Sequence, residues 1–336
     1  MFGRKHHQGR RSANPIYILF RLILSLMMFA VLLAGAYSAY KHFAGLDPLK
    51  LDPQVIVKDL LKARTPDQLS AVLSSLKLSP KINNIPSTNS AISFKFILVA
   101  DSEGENINLG KAIQQAKGAG DLSFIIGLGD YTQVGTIDQL KAAKAELDSA
   151  GLRYFLVPGD HDLWDSRDKK NEAAFNFKQV FGPNFQSFNY QGYLFLLLDN
   201  SDNYLGFSKD QLDWVSTQLD KVTHPSEGGK TDSVKAIFVF IPSPLYHPSS
   251  DHYMGKTDSS LKQQAQAMIL QLKQAGVKEV FAGDIHYFSE YEEPVTKLPM
   301  MTVGALATDR NPQSPRYAVV SVYDDGSARV DDTQIK

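Results

Sequence analysis

Residue types that bind metal ions follow four apolar runs of this 336-residue chain, at the point where each run ends. The third run continues into Pro-Gly and then Asp160, His161 and Asp162, although aspartate is poor in strands and histidine is seldom fully buried. The carboxylates and imidazoles at the four ends are Asp101, Glu103, Asp130, Asp160, Asp284, His161 and His286. Carboxylates brought close together cannot all stay ionised without cations. If these ends converge, the pattern predicts a site for divalent metal ions.

Each of these residues has a simpler explanation when it is taken alone. A single aspartate after a strand usually caps a helix or a turn, and Asp162 is open to that interpretation. A lone histidine is more often structural than a metal ligand. Four ends in chain order, each with an acid or a histidine, favour a metal site over four separate turns.

The elements that must position these residues begin at residue 93, where short apolar runs alternate with amphipathic segments. This alternation predicts an α/β domain with mainly parallel central strands, whose carboxyl ends share one edge. We predict strands over 93–101, 122–130, 153–160, 193–200, 234–243, 278–286 and 299–305, and a final hairpin over 316–330 that turns at Asp325-Gly326. We predict helices over 108–118, 136–151, 208–222 and 260–276.

The N-terminal region has a different character. Residues 1–46 hold six basic residues and no acidic ones, and residues 22–40 are uncharged over about the length that crosses a bilayer. We expect a basic cytoplasmic tail over 1–15, a transmembrane signal anchor over 16–41, a helical stalk and linker over 42–92, and a globular domain over 93–336. A signal peptide cleaved after Ala34-Gly35-Ala36 is the alternative. The anchor places the domain outside the cytoplasm, at the cell membrane.

Composition restricts the remaining chemistry. The chain has no cysteine, so disulfides and thiolate metal sites are excluded, and any metal must be held by oxygen and imidazole. Residues 47–336 hold 29 basic and 36 acidic residues. That balance is not expected of a general nucleic-acid-binding protein.

The strand-end motifs resemble those of the calcineurin-like metallophosphoesterases, which include the purple and tartrate-resistant acid phosphatases. The resemblance covers about residues 93–332 and implies a four-layer α/β/β/α sandwich with a two-metal site that hydrolyses phosphate esters. By this resemblance, Asp101 and His286 bind the first ion and Asp130 bridges both ions. His161 contacts the phosphate or protonates the leaving group, and Asp162 holds the imidazole ring of His161.

The chain departs from the family motifs at four positions. Glu103 and Asp284 stand where the family has histidine, and Asp160 stands where it has asparagine. These three still offer oxygen ligands. Pro242 stands at the position of a metal-binding histidine and cannot ligate through its side chain. Ser243, His247 and His252 are the candidates to fill that gap, although both histidines are also open to interpretation as exposed loop residues.

An oxygen-rich ligand set favours Mn, Mg, Ca or Fe ions over Zn. We expect two such divalent ions, or only one. The sequence thus predicts a membrane-anchored, metal-dependent phosphoesterase that acts on phosphate mono- or diesters outside the cytoplasm. The alternative is a catalytically silent domain that binds a metal ion or a partner at the cell surface. The sequence leaves the oligomeric state and the substrate open.

Overall fold

The computed structural model describes residues 90–223 and 234–336. The predicted tail, anchor and nearly all of the predicted stalk lie outside these residues. No helix of the described part is long and apolar enough to span a bilayer. The first strand begins at Ile92, one residue before the predicted start of the globular domain.

Eleven strands of the described residues form two mixed sheets. The first sheet has the order β11-β10-β1-β2-β3, and the second has the order β4-β5-β6-β7-β9-β8. The strands of the first sheet are β1 (Ile92–Val99), β2 (Phe124–Gly127), β3 (Arg153–Leu156), β10 (Arg316–Tyr323) and β11 (Ala328–Gln334). Those of the second are β4 (Gln186–Tyr190), β5 (Tyr193–Leu197), β6 (Ala236–Ile241), β7 (Glu279–Ala282), β8 (Ser289–Glu292) and β9 (Pro299–Thr302).

The central strands are parallel, as predicted. Strands β1, β2 and β3 pair in parallel, and so do β5, β6, β7 and β9. The antiparallel strands β4 and β8 form the two edges of the second sheet, and the sequence prediction missed both of them. Strand β4 joins β5 through Gln191-Gly192, whose φ angles of 51° and 87° are those of a tight hairpin turn.

Six α-helices connect the strands in the described residues. They are α1 (Asn106–Gly118), α2 (Ile137–Ser149), α3 (Trp164–Asp168), α4 (Phe175–Phe181), α5 (Lys209–Thr223) and α6 (Ser259–Gln274). Side-chain caps define two of their starts. Thr136 accepts a hydrogen bond from the Gln139 amide, and Asp258 accepts one from the Leu261 amide, which satisfies donors that lack a partner within the helix.

Three apolar clusters hold the layers together. Phenylalanines of both sheets form the middle cluster, in which Phe96 of β1 packs edge-on against Phe195 of β5 with ring centroids 5.6 Å apart. Helices α1, α2 and α4 cover the outer face of the first sheet. Helices α5 and α6 cover the outer face of the second. The two sheets therefore lie face to face with helices on both outer sides, and the α/β class predicted from the sequence is confirmed.

The middle cluster generates a stability prediction. Phe195 is fully buried and contacts rings from both sheets, so Phe195→Ala should lower the free energy of unfolding by about 3–5 kcal/mol. Phe175 is 41% exposed, and Phe175→Ala should cost less than about 1 kcal/mol. Denaturant unfolding measures both. Equal losses of unfolding free energy in the two variants would contradict the conclusion that the middle cluster holds the two sheets together.

Candidate metal centre

The acidic strand ends converge, but they come from two sheets and not from one. Asp101, Asp130 and Asp160 follow β1, β2 and β3 of the first sheet, whereas Asp284 follows β7 of the second. The amide of Asp284 donates a 3.0 Å hydrogen bond to Oδ1 of Asp101. This bond joins the two sheets at the edge where the parallel strands end.

Most of the predicted metal ligands have left-handed backbone conformations. Non-glycine residues seldom adopt positive φ, and where they do, the surrounding structure must hold them there. The φ angles are 52° at Asp101, 43° at Glu103, 55° at Asp130, 71° at Asp284 and 58° at His286. Backbone bonds between the first two loops hold this geometry, from Asp101 N to Gly129 O at 3.0 Å and from Glu103 N to Asp130 O at 2.8 Å. Such concentrated backbone strain is typical of functional sites.

Two glycines allow the loops to approach each other. A Cβ atom on Gly159 would collide with the carboxylate of Asp130. A Cβ atom on Gly129 would lie 2.6 Å from the Cα atom of Gly159. Glycine before the acidic residue is therefore required by close packing of the second and third loops, as the sequence indicated.

Asp130, Asp160 and Asp284, called here the three-carboxylate group, each have one carboxylate oxygen close to those of the other two. These three oxygens lie within 4.8 Å of one another. Burial and then the charge of Asp160 raise the pKa of Asp130 well above its usual value, and the same two causes raise the pKa of Asp284. Both shifts thus reflect burial first and the crowding of carboxylates second. Three oxygen donors at this spacing fit a hard divalent ion.

Asp101 adds an unsatisfied acceptor to the same region. Its side chain is fully buried, and its Oδ2 atom has no hydrogen-bond partner. Burial raises the pKa of Asp101 to about 7. Buried polar atoms are nearly always paired, so this oxygen is a further sign of a cation-binding site.

Glu103 and His286 were predicted as metal ligands, and the structure pairs them with each other. Nε2 of His286 lies 3.3 Å from Oε1 of Glu103, and Nη2 of Arg310 lies 2.5 Å from the same oxygen. Burial raises the pKa of Glu103, but the hydrogen bonds from His286 and Arg310 outweigh it and lower that pKa to about 2. Burial lowers the pKa of His286, but the bond to Glu103 and the charge of Asp101 outweigh it and raise that pKa to about 9. We call Glu103, His286 and Arg310 the Glu103 cluster.

His161 lies beside the three-carboxylate group. Its backbone amide donates a 2.9 Å hydrogen bond to Asp130, and its ring stacks on Trp164 with centroids 4.0 Å apart. Its Nδ1 atom lies 2.9 Å from the carbonyl oxygen of Gln133. Because a carbonyl can only accept, Nδ1 donates its hydrogen in this bond, and Nε2 takes no part in it.

Asp162 has a different role from the predicted one. Its carboxylate accepts bonds from the amides of Gly159, Tyr131 and Thr132 at 3.0 to 3.3 Å and from the Thr132 hydroxyl at 2.8 Å. Its acceptor positions are thus used by the second and third loops, and the carbonyl of Gln133 orients the His161 ring instead. The prediction that Asp162 holds the ring is wrong, because the carboxylate points into the packed loops.

The residue next to Pro242 brings a polar side chain to the site, which Pro242 itself cannot do. Ser243 bonds to the Asp284 side chain and lines the cavity, and His252 lines the cavity as well. His247 is only 3% exposed, with Nε2 bonded to Ser289 and Nδ1 accepting from the amides of Ser249 and Ser250. The interpretation of His247 as an exposed loop residue is therefore wrong, and both of its ring nitrogens are already engaged.

Sequence reasoning missed several residues of the site. Asn203 donates a 2.8 Å hydrogen bond to Asp160, and Asn200 joins the loops after β5 and β6 through Ser243. The Asp-Asn pair that ends β5 was an available signal for this loop. Arg310 gave no such signal, because it lies far along the chain from Glu103.

A cavity of about 620 Å³ opens above these residues. It is lined by the three-carboxylate group, the Glu103 cluster, His161, Trp164 and the segment from Ser250 to Asp258. The predicted long loop after β6 therefore does border the site. The cavity is large enough to hold a small phosphate ester.

Comparison with known families gives a match over most of the globular part. Residues 94–288 match the family model described as calcineurin-like phosphoesterase. That span contains all eight residues predicted for the site. No curated protein matches the chain.

Solved structures share the fold at low sequence identity. A dimetal phosphatase from Danio rerio is 17% identical with a TM-score of 0.55, covering 73% of this chain and 99% of its own. A purple acid phosphatase from yellow lupin seeds is 11% identical with a TM-score of 0.52, covering 75% of this chain and 53% of its own. At these identities the likeness concerns the fold alone.

The corrected role of Asp162 is testable. Asp162→Asn places an amide nitrogen against backbone N–H donors, so it should lower the free energy of unfolding by about 1–3 kcal/mol. His161→Ala removes a half-buried ring that stacks on Trp164 and should cost less than Asp162→Asn. Denaturant unfolding of both variants measures these losses. A greater loss of unfolding free energy in His161→Ala than in Asp162→Asn would contradict the role of Asp162 in holding the loops.

Proposed function

Since the chain belongs to the calcineurin-like phosphoesterase family, we propose that it is a metal-dependent hydrolase of phosphate mono- or diesters. The observation that carries the proposal is the three-carboxylate group, whose oxygens lie within 4.8 Å of one another. His161 lines the same cavity. Metal-ligating oxygens and a proton-transfer group in one cavity are what phosphate-ester hydrolysis requires.

Asp130, Asp160 and Asp284 would hold the ion, and Asn203 and Ser243 would orient two of these carboxylates. A bound divalent ion supplies positive charge that polarises the phosphorus–oxygen bonds of the substrate. The oxygen-only donors favour Mn²⁺, Mg²⁺ or Ca²⁺ over Zn²⁺.

His161 would act on the leaving group. The Gln133 carbonyl keeps hydrogen on Nδ1, so the proton that His161 transfers is held on Nε2. As a water molecule attacks phosphorus and forms the new phosphorus–oxygen bond, a protonated Nε2 donates its hydrogen to the departing ester oxygen, whose bond to phosphorus breaks, and the proton of the water is lost to solvent. Stacking on Trp164 and the bond to Gln133 limit rotation of the ring, and His161 lines the cavity.

Metal binding and hydrolysis can be tested in the same set of variants. Mn²⁺ should raise the melting temperature of the protein, because a ligand that binds only the folded state stabilises it. Asp130→Asn should remove most of this gain. His161→Ala should keep the gain but lower hydrolysis of bis-p-nitrophenyl phosphate by about 100-fold or more. Asp213→Asn, which changes a carboxylate that is 68% exposed on α5, is the control.

Two results would contradict this function. If Mn²⁺, Mg²⁺, Ca²⁺ and Fe ions all leave the melting temperature unchanged, the metal centre is absent. If the protein binds metal but hydrolyses neither monoesters nor diesters, the silent metal-binding domain replaces the enzyme.

We further propose that residues 16–41 anchor the protein in the cell membrane, with the catalytic domain outside the cytoplasm. Support comes from the sequence, in which an uncharged run over 22–40 follows a basic segment without acidic residues. The phosphate ester would then be met outside the cytoplasm.

This topology predicts that the protein stays in the membrane fraction after an alkaline carbonate wash. Its C-terminus should resist proteases added on the cytoplasmic side. Recovery of a soluble exported form that begins near Tyr37 would instead show a cleaved signal peptide.

A further inference from the structure

We propose that the guanidinium of Arg310 takes the place of a second metal ion. The cavity then holds one divalent ion, at the three-carboxylate group, and Arg310 binds the substrate phosphate beside it. This inference rests on the proposed phosphoesterase function. It assigns a role to a residue outside every strand-end motif.

The donors for a second ion are engaged with one another. Oε1 of Glu103 accepts from Nη2 of Arg310 at 2.5 Å and lies 3.3 Å from Nε2 of His286. Oδ1 of Asp101 accepts the amide hydrogen of Asp284, and its unpartnered Oδ2 is the one atom of Asp101 left for a cation. Within residues 90–223 and 234–336, the set of converging metal-ligand atoms consists of the three-carboxylate group and includes neither Glu103 nor His286. The residues of the Glu103 cluster therefore do not fit a second ion as they stand.

A guanidinium at this position also opposes a second ion by its charge. Arginine stays protonated at every relevant pH, so Arg310 keeps a positive charge against Glu103. A divalent cation beside it would be repelled by this charge at short range. Glu103 is only 8% exposed, and its charge is already balanced by a hydrogen-bonded partner.

The loop that carries Arg310 is held firmly to the first sheet. Ala307 donates its amide hydrogen to the Asp101 carbonyl at 2.9 Å, and the Asn311 side chain bonds to the carbonyls of Ala305 and Ala307. Thr308 bonds to Glu105, at the start of α1, through both its amide and its hydroxyl. Arg310 itself has a φ of 51°, a conformation that non-glycine residues seldom adopt. The fold thus positions this side chain before any substrate arrives.

Arg310 has the reach and the donors to bind phosphate. Its side chain is 57% exposed and lines the same cavity as Asp130, Asp160 and His161. A guanidinium has five N–H donors, so the bond to Glu103 leaves others for phosphate oxygens. Arginine binds phosphate through two parallel hydrogen bonds, which fixes the orientation of the ester. Glu103 and His286 then position Arg310 and do not ligate a metal.

Metal counting and phosphate binding together test this inference on the full-length protein. After equilibrium dialysis against Mn²⁺, elemental analysis should find one ion per wild-type chain. In Arg310→Ala, removal of the charge frees Glu103 and His286, and a second ion should appear. With each protein loaded with only one equivalent of Mn²⁺, inorganic phosphate should bind Arg310→Ala at least about tenfold more weakly than the wild type. Arg310→Lys keeps the charge, so it should still hold one ion and recover part of the phosphate affinity.

Arg329→Ala is the matched control, because Arg329 also pairs with a carboxylate, at 2.7 Å from Asp331, but on the exposed surface of β11. It should bind one ion and bind phosphate as the wild type does. Two ions in the wild type together with metal-dependent hydrolysis would overturn this inference and leave the proposed function standing. No ion in the wild type would overturn both. Unchanged phosphate affinity in Arg310→Ala at one equivalent of Mn²⁺ would overturn the role of Arg310.

Discussion

Repulsion among buried carboxylates is the constraint around which this structure is arranged. Asp101, Asp130 and Asp284 meet where two sheets join, and burial raises the pKa of each. A cluster of this kind opposes folding unless cations or hydrogen-bond donors offset the charge. The surrounding loops supply donors to these carboxylates from two backbone amides and from Ser243, and the remaining charge favours a divalent ion. Backbone hydrogen bonds between the loops and glycine at their close approaches hold the carboxylates in this crowded arrangement.

The two-sheet architecture determines which carboxylates meet. The phenylalanine cluster presses the sheets together, and the bond from Asp284 to Asp101 then closes their common edge. A site divided between two sheets in this way depends on the packing between them. Substitutions in the middle cluster should therefore affect metal affinity as well as stability, although the cluster contacts no ligand.

The sequence predicted those parts of the fold and site that depend on local pattern. The apolar runs predicted the central parallel strands, and the residues that end these runs predicted a site containing Asp101, Asp130, Asp160 and Asp284. The edge strands β4 and β8 were missed because half-exposed strands carry no continuous apolar run. Contacts between residues far apart in the chain could not be predicted from local sequence patterns. Arg310 bonds to Glu103, 207 positions away, and the role of Asp162 depends on a loop 30 positions away. Burial of His247 likewise depends on Ser289 and two aromatic neighbours.

The measurement that tests the metal centre most directly is a crystal structure of the protein grown with Mn²⁺, with anomalous scattering used to locate the ion. We expect an anomalous peak coordinated by Asp130, Asp160 and Asp284, with Glu103 still bound to Arg310. A map without a peak at these three carboxylates, or with the manganese bound elsewhere on the protein, would contradict it.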